Sequence, residues 1–164
     1  MDTIDSVGAE WRLAAMHDIS TVLECFNTDA NKEWLEGVPE HALVEALTSD
    51  SRRLLIYQSG NEALAFAYLS HLGTNEPKLE EFAVFPAGHG CGTRSLVSLI
   101  EYVSRDETNT RLWLHVVTHN HRAIHIYRKL GFGDQSIVEG GWTNRLGQNV
   151  TIYRLWKNLR PENG

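Results

Sequence analysis

The chain has 164 residues, 42% of them hydrophobic and 22% charged, which suits one globular domain spanning 1–164 with a core of its own. Its 15 Lys and Arg stand against 21 Asp and Glu; the formal charge of −6 disfavours a nucleic-acid partner and mildly favours a cationic one. Two cysteines, Cys25 and Cys91, exclude a disulfide framework and a CxxC metal pattern, and no apolar stretch approaches membrane-spanning length.

The start, MDTIDSVGAE, is acidic at Asp2 and Asp5 and runs into no apolar segment. No signal peptide and a reducing, cytoplasmic setting are therefore expected. WRLAAM (11–16) alternates as a short strand, and Asp18 is placed to cap a helix whose apolar face is Ile19, Val22, Leu23 and Phe26. Residues 27–38 read as a loop or a broken helix. Pro39 suits the first position of a second helix, with Leu43, Val44 and Leu47 inward.

Strands follow at 53–58 and 63–72 around a hairpin turn at SGNE, then at 79–85 after the loop GTNEPK. Beyond a glycine-rich stretch, Leu96, Val97, Leu99, Ile100 and Val103 recur at helical spacing. RLWLHVVT (111–118) is the next strand, and Ala123, Ile124, Tyr127 and Leu130 mark a helix ended by Gly131. Two more strands, near 135–142 and 149–157, enclose NRLG. The order β-α-α-β-β-β-α-β-α-β-β predicts an α/β (α+β) fold, a mixed sheet with helices on both faces.

The glycine-rich stretch, VFPAGHGCGTRSL at 84–96, carries Gly88, Gly90 and Gly92 at alternate positions. Bare backbone there lets the chain bend and present N–H groups, and the helix that follows adds its electropositive end, a setting that suits phosphate. A dinucleotide fingerprint fails, because the third glycine of G-x-G-x-x-G would fall on Thr93 or Ser95. A Walker A loop fails for want of Gly-Lys-Ser/Thr.

With NHRAIHIYRKLGF (120–132) added, the arrangement resembles the GCN5-related N-acetyltransferase (GNAT) family. Val84 and Pro86, the glycines from 88 to 92, and Asn120, Ala123, Tyr127, Gly131 and Phe132 carry the resemblance, which is specific over about 79–132. The family loop begins with Gln or Arg; here that position holds Ala87, and the stretch to the glycines is two residues shorter than is common. A flanking side-chain contact to the diphosphate is thereby lost, with His89 as a weak substitute.

The resemblance implies acetyl-CoA as cosubstrate, no metal, and acetyl transfer from sulfur to a primary amine. Gly88, His89, Gly90, Cys91, Gly92 and Thr93 would offer amides to the diphosphate. The backbone of Phe82, Ala83 and Val84 would pair with the pantetheine arm, and an amide near Val84 would polarise the thioester carbonyl. Asn120 would hydrogen-bond the pantetheine or cap its helix, with Ala123 beside it. Tyr127 would be the general acid, protonating the departing thiolate.

LEEF is similar to the Leu-Glu-Asp stretch of spermidine/spermine acetyltransferases, which assigns the base to Glu80. Strand alternation would put Glu80 and Glu81 on opposite faces, so that only one enters the cleft, and Glu80 reads equally well as a solvated carboxylate. Glu81 would add acidic field for a cationic acceptor. Asp29, Trp34 and Glu36, in the loop lining the acceptor side in similar enzymes, suit an amine or a solvated loop, and Trp142 would close the other side. His115, His119, His121 and His125 cluster, but no carboxylate or cysteine completes a metal site.

The leading expectation is an N-acetyltransferase acting on a small amine: a polyamine, an amino acid derivative or an aminosugar. Acetylation of protein N-termini or lysines is one alternative, and a non-catalytic acyl-CoA-binding regulatory module is another. Neither nucleic acid nor membrane is an expected partner. Many family members are dimers, so a homodimer is an expectation carried by the resemblance alone.

Overall fold

The computed structural model describes residues 8–160; the acidic start with Asp2 and Asp5 lies outside them. The chain runs β1 (Glu10–Leu13), α1 (Ile19–Phe26), α2 (Asp29–Trp34), α3 (Glu40–Ala46), β2 (Arg53–Ser59), β3 (Glu62–Ser70) and β4 (Lys78–Val84). It continues through α4 (Gly92–Ser104), β5 (Arg111–Val117), α5 (His121–Lys129), β6 (Gly133–Thr143) and β7 (Asn149–Asn158). The seven strands form one mixed sheet in the order β1-β2-β3-β4-β5-β7-β6. This is the α/β architecture expected.

Every neighbouring pair is antiparallel except β4 and β5. The exception follows from connectivity: a parallel neighbour needs a crossover, and α4 supplies it. On one face, Leu96, Leu99 and Val103 of α4, with Ala123, Ile124 and Tyr127 of α5, pack on Leu55, Leu69, Leu112 and Leu114. On the other, Ile19, Val22 and Phe26 of α1 and Leu43 of α3 cover Leu54, Ile56 and Phe66. With helices on both sides, Leu54 to Tyr57 form a continuous buried run rather than an alternating one. Each such side chain contributes roughly 1.5–3 kcal/mol by leaving water.

The N-terminal third departs from expectation in three places. β1 stops at Leu13, because the chain turns through a single 3-10 turn at Met16–Asp18. Asp18 stands at the N-cap position of α1 but its side chain makes no capping bond; its carboxylate takes two bonds from the Arg12 guanidinium, at 2.8 and 2.9 Å, and one from the Ala15 amide at 2.8 Å. Within 27–38 the broken-helix reading holds: a two-turn helix forms, α2, capped by the Thr28 hydroxyl, which accepts from the Asn31 amide. Pro39 sits one residue before α3 in extended conformation, as its cap rather than its first helical residue.

Candidate active site

β4 and β5 pair only at Lys78↔Trp113 and Leu79↔Leu114, and beyond that point they have separated. A second irregularity sits at the same place. Leu79 faces Leu69 and Glu81 faces Tyr68 across the β3–β4 ladder, so Glu80 is an extra residue on β4. A bulge of this kind bends and twists its strand. The gap between the diverging strands is a cleft of about 650 Å³, lined by Glu80 to Val84 on one side and His115 to Val117 on the other.

The bulge also overturns the expectation that Glu80 and Glu81 point to opposite faces. Alternation fails where a residue is inserted, and both carboxyls line the same cleft. Their settings differ. Glu80 accepts from the Ser70 hydroxyl at 2.5 Å and pairs with Lys78 Nζ at 2.9 Å. Burial would raise its pKa, but the Ser70 and Lys78 contacts outweigh that and hold it below the ordinary carboxylate value.

Glu81 is almost wholly buried. Burial first, then the charge of Glu36 and that of Glu80, push its pKa up to about 8. The amides of Glu36 and Gly37 donate to its carboxyl and restrain the rise; the Glu36 bond measures 3.1 Å.

α5 supplies the opposite wall. Asn120 caps it, its Oδ1 accepting from the Ala123 amide at 3.3 Å, which fixes the helix end beside the cleft. Asn120, Ala123 and Tyr127 all line the cavity. The Tyr127 ring packs edge-on against Phe132 at 5.6 Å, and its hydroxyl has no hydrogen-bond partner among the described residues. Burial and the neighbouring Glu81 charge raise the phenol well above the usual range.

The glycine-rich loop joins β4 to α4 through a 3-10 turn at Pro86–Gly88. Gly88 is a packing requirement: a Cβ there would stand 2.0 Å from the Leu64 carbonyl oxygen. Of the six expected amide donors, three already have partners. Gly88 donates to Phe85 O at 2.9 Å, His89 to Pro86 O at 3.3 Å, and Cys91 to Gly88 O at 2.9 Å. Gly90, at φ 89°, and the first-turn residues Gly92 and Thr93 have amides with no acceptor among the described residues. A second cavity of about 660 Å³ opens here, lined by Val84, Pro86, His89, Gly90 and Arg122 together with Glu24, Cys25 and Asn31.

On the far side, Trp34 and Trp142 pack around Val117, Val150 and Ile152, and both indoles line the main cleft, as does Glu36. Trp34 also stands 5.1 Å from His119, whose Nε2 lies 3.6 Å from Glu33. Asp29 is not part of this wall. It is fully exposed on α2, 4.0 Å from Lys32, and lines neither cavity. Among the described residues no group of His, Cys, Asp or Glu gathers in a form that holds a metal ion, and no helix is long and apolar enough to cross a membrane.

The glycine loop, the splayed strands and the α5 tyrosine lie within one stretch of chain, and residues 19–132 match the model of the acetyltransferase (GNAT) family. The chain belongs to that family. It is accordingly an N-acetyltransferase, of a family whose acyl donor is acetyl-CoA. No curated protein matches it by sequence. Among solved structures it resembles spermidine N-acetyltransferase from Vibrio cholerae in complex with CoA and spermine, with 14% identity and a TM-score of 0.81 over 93% of this chain and 96% of that one. It also resembles the ribosomal-protein-S18-alanine N-acetyltransferase from Escherichia coli, with 19% identity and a TM-score of 0.73 over 95% and 98%.

Within this GNAT site several residues went unnoticed in the sequence. Lys78 and Ser70 hold Glu80, and Lys78, two positions before Glu80 in KLEEF, was a legible signal. His115, read in the sequence only as one of a histidine cluster, lies in the cleft wall, where burial, Lys78 and Arg154 drive its pKa down to about 4, so it is neutral there. Gly37, whose amide faces Glu81, gave no signal at all.

Proposed function

We propose that this GNAT enzyme moves acetyl from acetyl-CoA to the primary amine of a small cationic molecule, with Glu81 as the base and Tyr127 as the acid. The observation that carries the reading is Glu81: a buried carboxyl in the cleft, with a pKa near 8, facing a phenol from α5. A base must take a proton from an ammonium near neutral pH, and a carboxyl at about 8 is matched to that far better than one held below 4.5. Glu80, neutralised by Lys78, serves in this reading as a fixed support for the bulge.

The donor set fits the cosubstrate. The free amides of Gly90, Gly92 and Thr93 at the start of α4 suit a diphosphate, and the edge of β4 from Phe82 to Val84 suits an extended amide arm. Bound acetyl-CoA supplies an activated acyl carbon. Glu81 takes the proton that leaves nitrogen as the N–C bond forms. Tyr127 gives its proton to sulfur as the C–S bond breaks, and solvent exchange resets both groups.

Trp34, Trp142 and Glu36 beyond the reacting centre favour a cationic acceptor of modest size, and a polyamine, as in the Vibrio cholerae neighbour, is the first candidate. The test is thiol release from acetyl-CoA against polyamines, amino acid amides, aminosugars and basic or alanine-initiated peptides. Turnover with the small amines at pH 8 is expected. Turnover with peptides alone would replace the acceptor assignment with protein acetylation, and saturable cofactor binding without any turnover would sink the catalytic reading.

A further inference from the structure

Arg145 lies in the turn between β6 and β7, more than a hundred residues from the cleft-lining loop that it touches. Its guanidinium binds three acceptors at once. Nη2 donates to the Phe26 carbonyl, Nη1 to Asn27 Oδ1 at 3.2 Å, and Nε to the Leu35 carbonyl at 3.3 Å. Phe26 ends α1, so its carbonyl lacks a helical donor, and a cation is favoured at that end of the dipole. The guanidinium also lies against Gly37: a Cβ there would meet Cζ and Nη1 at 3.3 Å. Gly37 has φ 85°, a conformation that leaves the Arg145 side open. Asn144, buried in the same turn, adds a 3.5 Å contact to the Glu33 carbonyl.

The segment held in this way is the one that carries the Glu36 and Gly37 amides. Leu35 is fixed on one side of them, and Gly37 is braced on the other. Those two amides donate to Glu81. We propose that Arg145 is a positioning residue for the reaction: it clamps the Leu35–Gly37 segment so that two backbone N–H groups stay aimed at the Glu81 carboxyl. The clamp does not touch substrate. It acts through the amides, so its loss weakens support of the carboxylate and leaves the groups that oppose ionisation in place: Glu36 from the same segment, Glu80 from β4, and the apolar surroundings. Tyr127, facing from α5, stays protonated throughout. This inference rests on the reading of Glu81 as the base.

The test is the pH profile of kcat/KM for Arg145→Ala, with Glu81→Gln beside it. The profile of the unaltered enzyme rises through a limb near pH 8. In Arg145→Ala that limb is expected to move up by about one pH unit, as a weakened bond to a charged group implies, with kcat/KM at pH 7 falling about tenfold. Arg145→Lys, which cannot fork to three acceptors, is expected to fall between the two. Carboxyl NMR of the free protein, with Glu81 assigned by its absence in Glu81→Gln, reads the same shift without turnover. A limb and a carboxyl titration that stay in place in Arg145→Ala, whatever happens to the melting temperature, overturn the clamp while leaving the base intact. A Glu81→Gln enzyme that keeps the limb overturns the base and the clamp together. Should Arg145→Ala fail to fold, Asn27→Ala removes one acceptor only; a smaller upward shift supports the clamp, and none overturns it.

Discussion

Glu81 and Tyr127 line one cleft from two different elements, and the charge of the first raises the pKa of the second. The coupling has a direction that suits acetyl transfer. While Glu81 is ionised, the phenolate of Tyr127 is disfavoured and the acid keeps its proton. Once Glu81 has taken a proton from the amine its charge is gone, and the barrier to releasing the phenol proton falls. Uptake at one group thus promotes release at the other, in the order that the chemistry needs.

Replacing Glu81 by Gln is expected to lower kcat/KM at pH 8 by ~100-fold or more and to abolish the limb near pH 8. Glu80→Gln keeps the limb and moves it only slightly to lower pH: Glu80 is itself held ionised by Ser70 and Lys78, and its charge is a lesser contribution to the raised Glu81 pKa than burial or Glu36. Its effect is on stability, since Lys78 loses its partner in a mostly buried setting. Initial-rate profiles from pH 6 to 10 separate the two carboxyls. Equal losses in both variants would remove the distinction between them.

Tyr127→Phe keeps the ring against Phe132 and removes only the hydroxyl. A fall in kcat of about 100-fold, with cofactor affinity changed less than about threefold, is the expected result. Equilibrium binding of CoA, run alongside the rates, checks the second half. A hydroxyl with no partner among the described residues holds little of the fold together, so the melting temperature should scarcely move.

The raised pKa of Glu81 makes it a liability for the fold. An unfolded glutamate releases its proton near 4.5 and the folded one near 8, so between those values the native state holds one proton more. Stability contributed by this group is therefore present at low pH, declines as pH rises from about 4.5 to 8, and is flat above that. Glu81→Gln removes the titration. Its melting temperature is expected to match the parent near pH 4.5 and to exceed it at pH 8, by an amount corresponding to a few kcal/mol at most. Calorimetry at several pH values tests this, and a gap that narrows toward pH 8 would refute it.

Gly88→Ala addresses the loop rather than the chemistry. The added carbon overlaps the Leu64 backbone at 2.0 Å, and a backbone neighbour cannot swing aside as a side chain can. The cost is expected at about 1–3 kcal/mol, with a weaker affinity for CoA, because the shift moves the amides of Gly90, Gly92 and Thr93 together. Denaturant melts and CoA titrations measure the two effects. Unchanged values in both would mean that the loop relaxes freely.

The sheet and its helices were legible because their signals are local. Leu96, Leu99 and Val103 repeat at helical spacing, and Asn120 and Gly131 bracket α5 in sequence as they do in space. The glycine loop and Tyr127 could be placed for the same reason. What could not be read is whatever depends on register or on distant chain. The bulge at Glu80 is defined only by its pairing with β3, and alternation gives the wrong answer without it. Asp18 matches a helix cap in sequence and in the fold serves Arg12 and Ala15. Asp29 and Glu36 look alike as loop carboxylates, yet α2 turns one to solvent and sets the other beside Glu81.

Glu36 offers the sharpest check on the electrostatics, because its two contributions act in opposite senses. Its backbone amide donates to Glu81 and lowers the carboxyl pKa, while its side-chain charge raises it. Glu36→Gln removes the charge and keeps the amide. The limb of kcat/KM is therefore expected to move to lower pH, opposite in sign to the effect of loosening the segment from the Arg145 side. At pH 7 more of the enzyme would carry an ionised base, so kcat at saturating acceptor should rise or hold. KM for a cationic acceptor should increase as one of the anions lining the cleft is lost. Rates measured across pH with two acceptors of different charge give both numbers, and a limb that moves upward would show that the Glu36 carboxylate does not set the pKa of its neighbour.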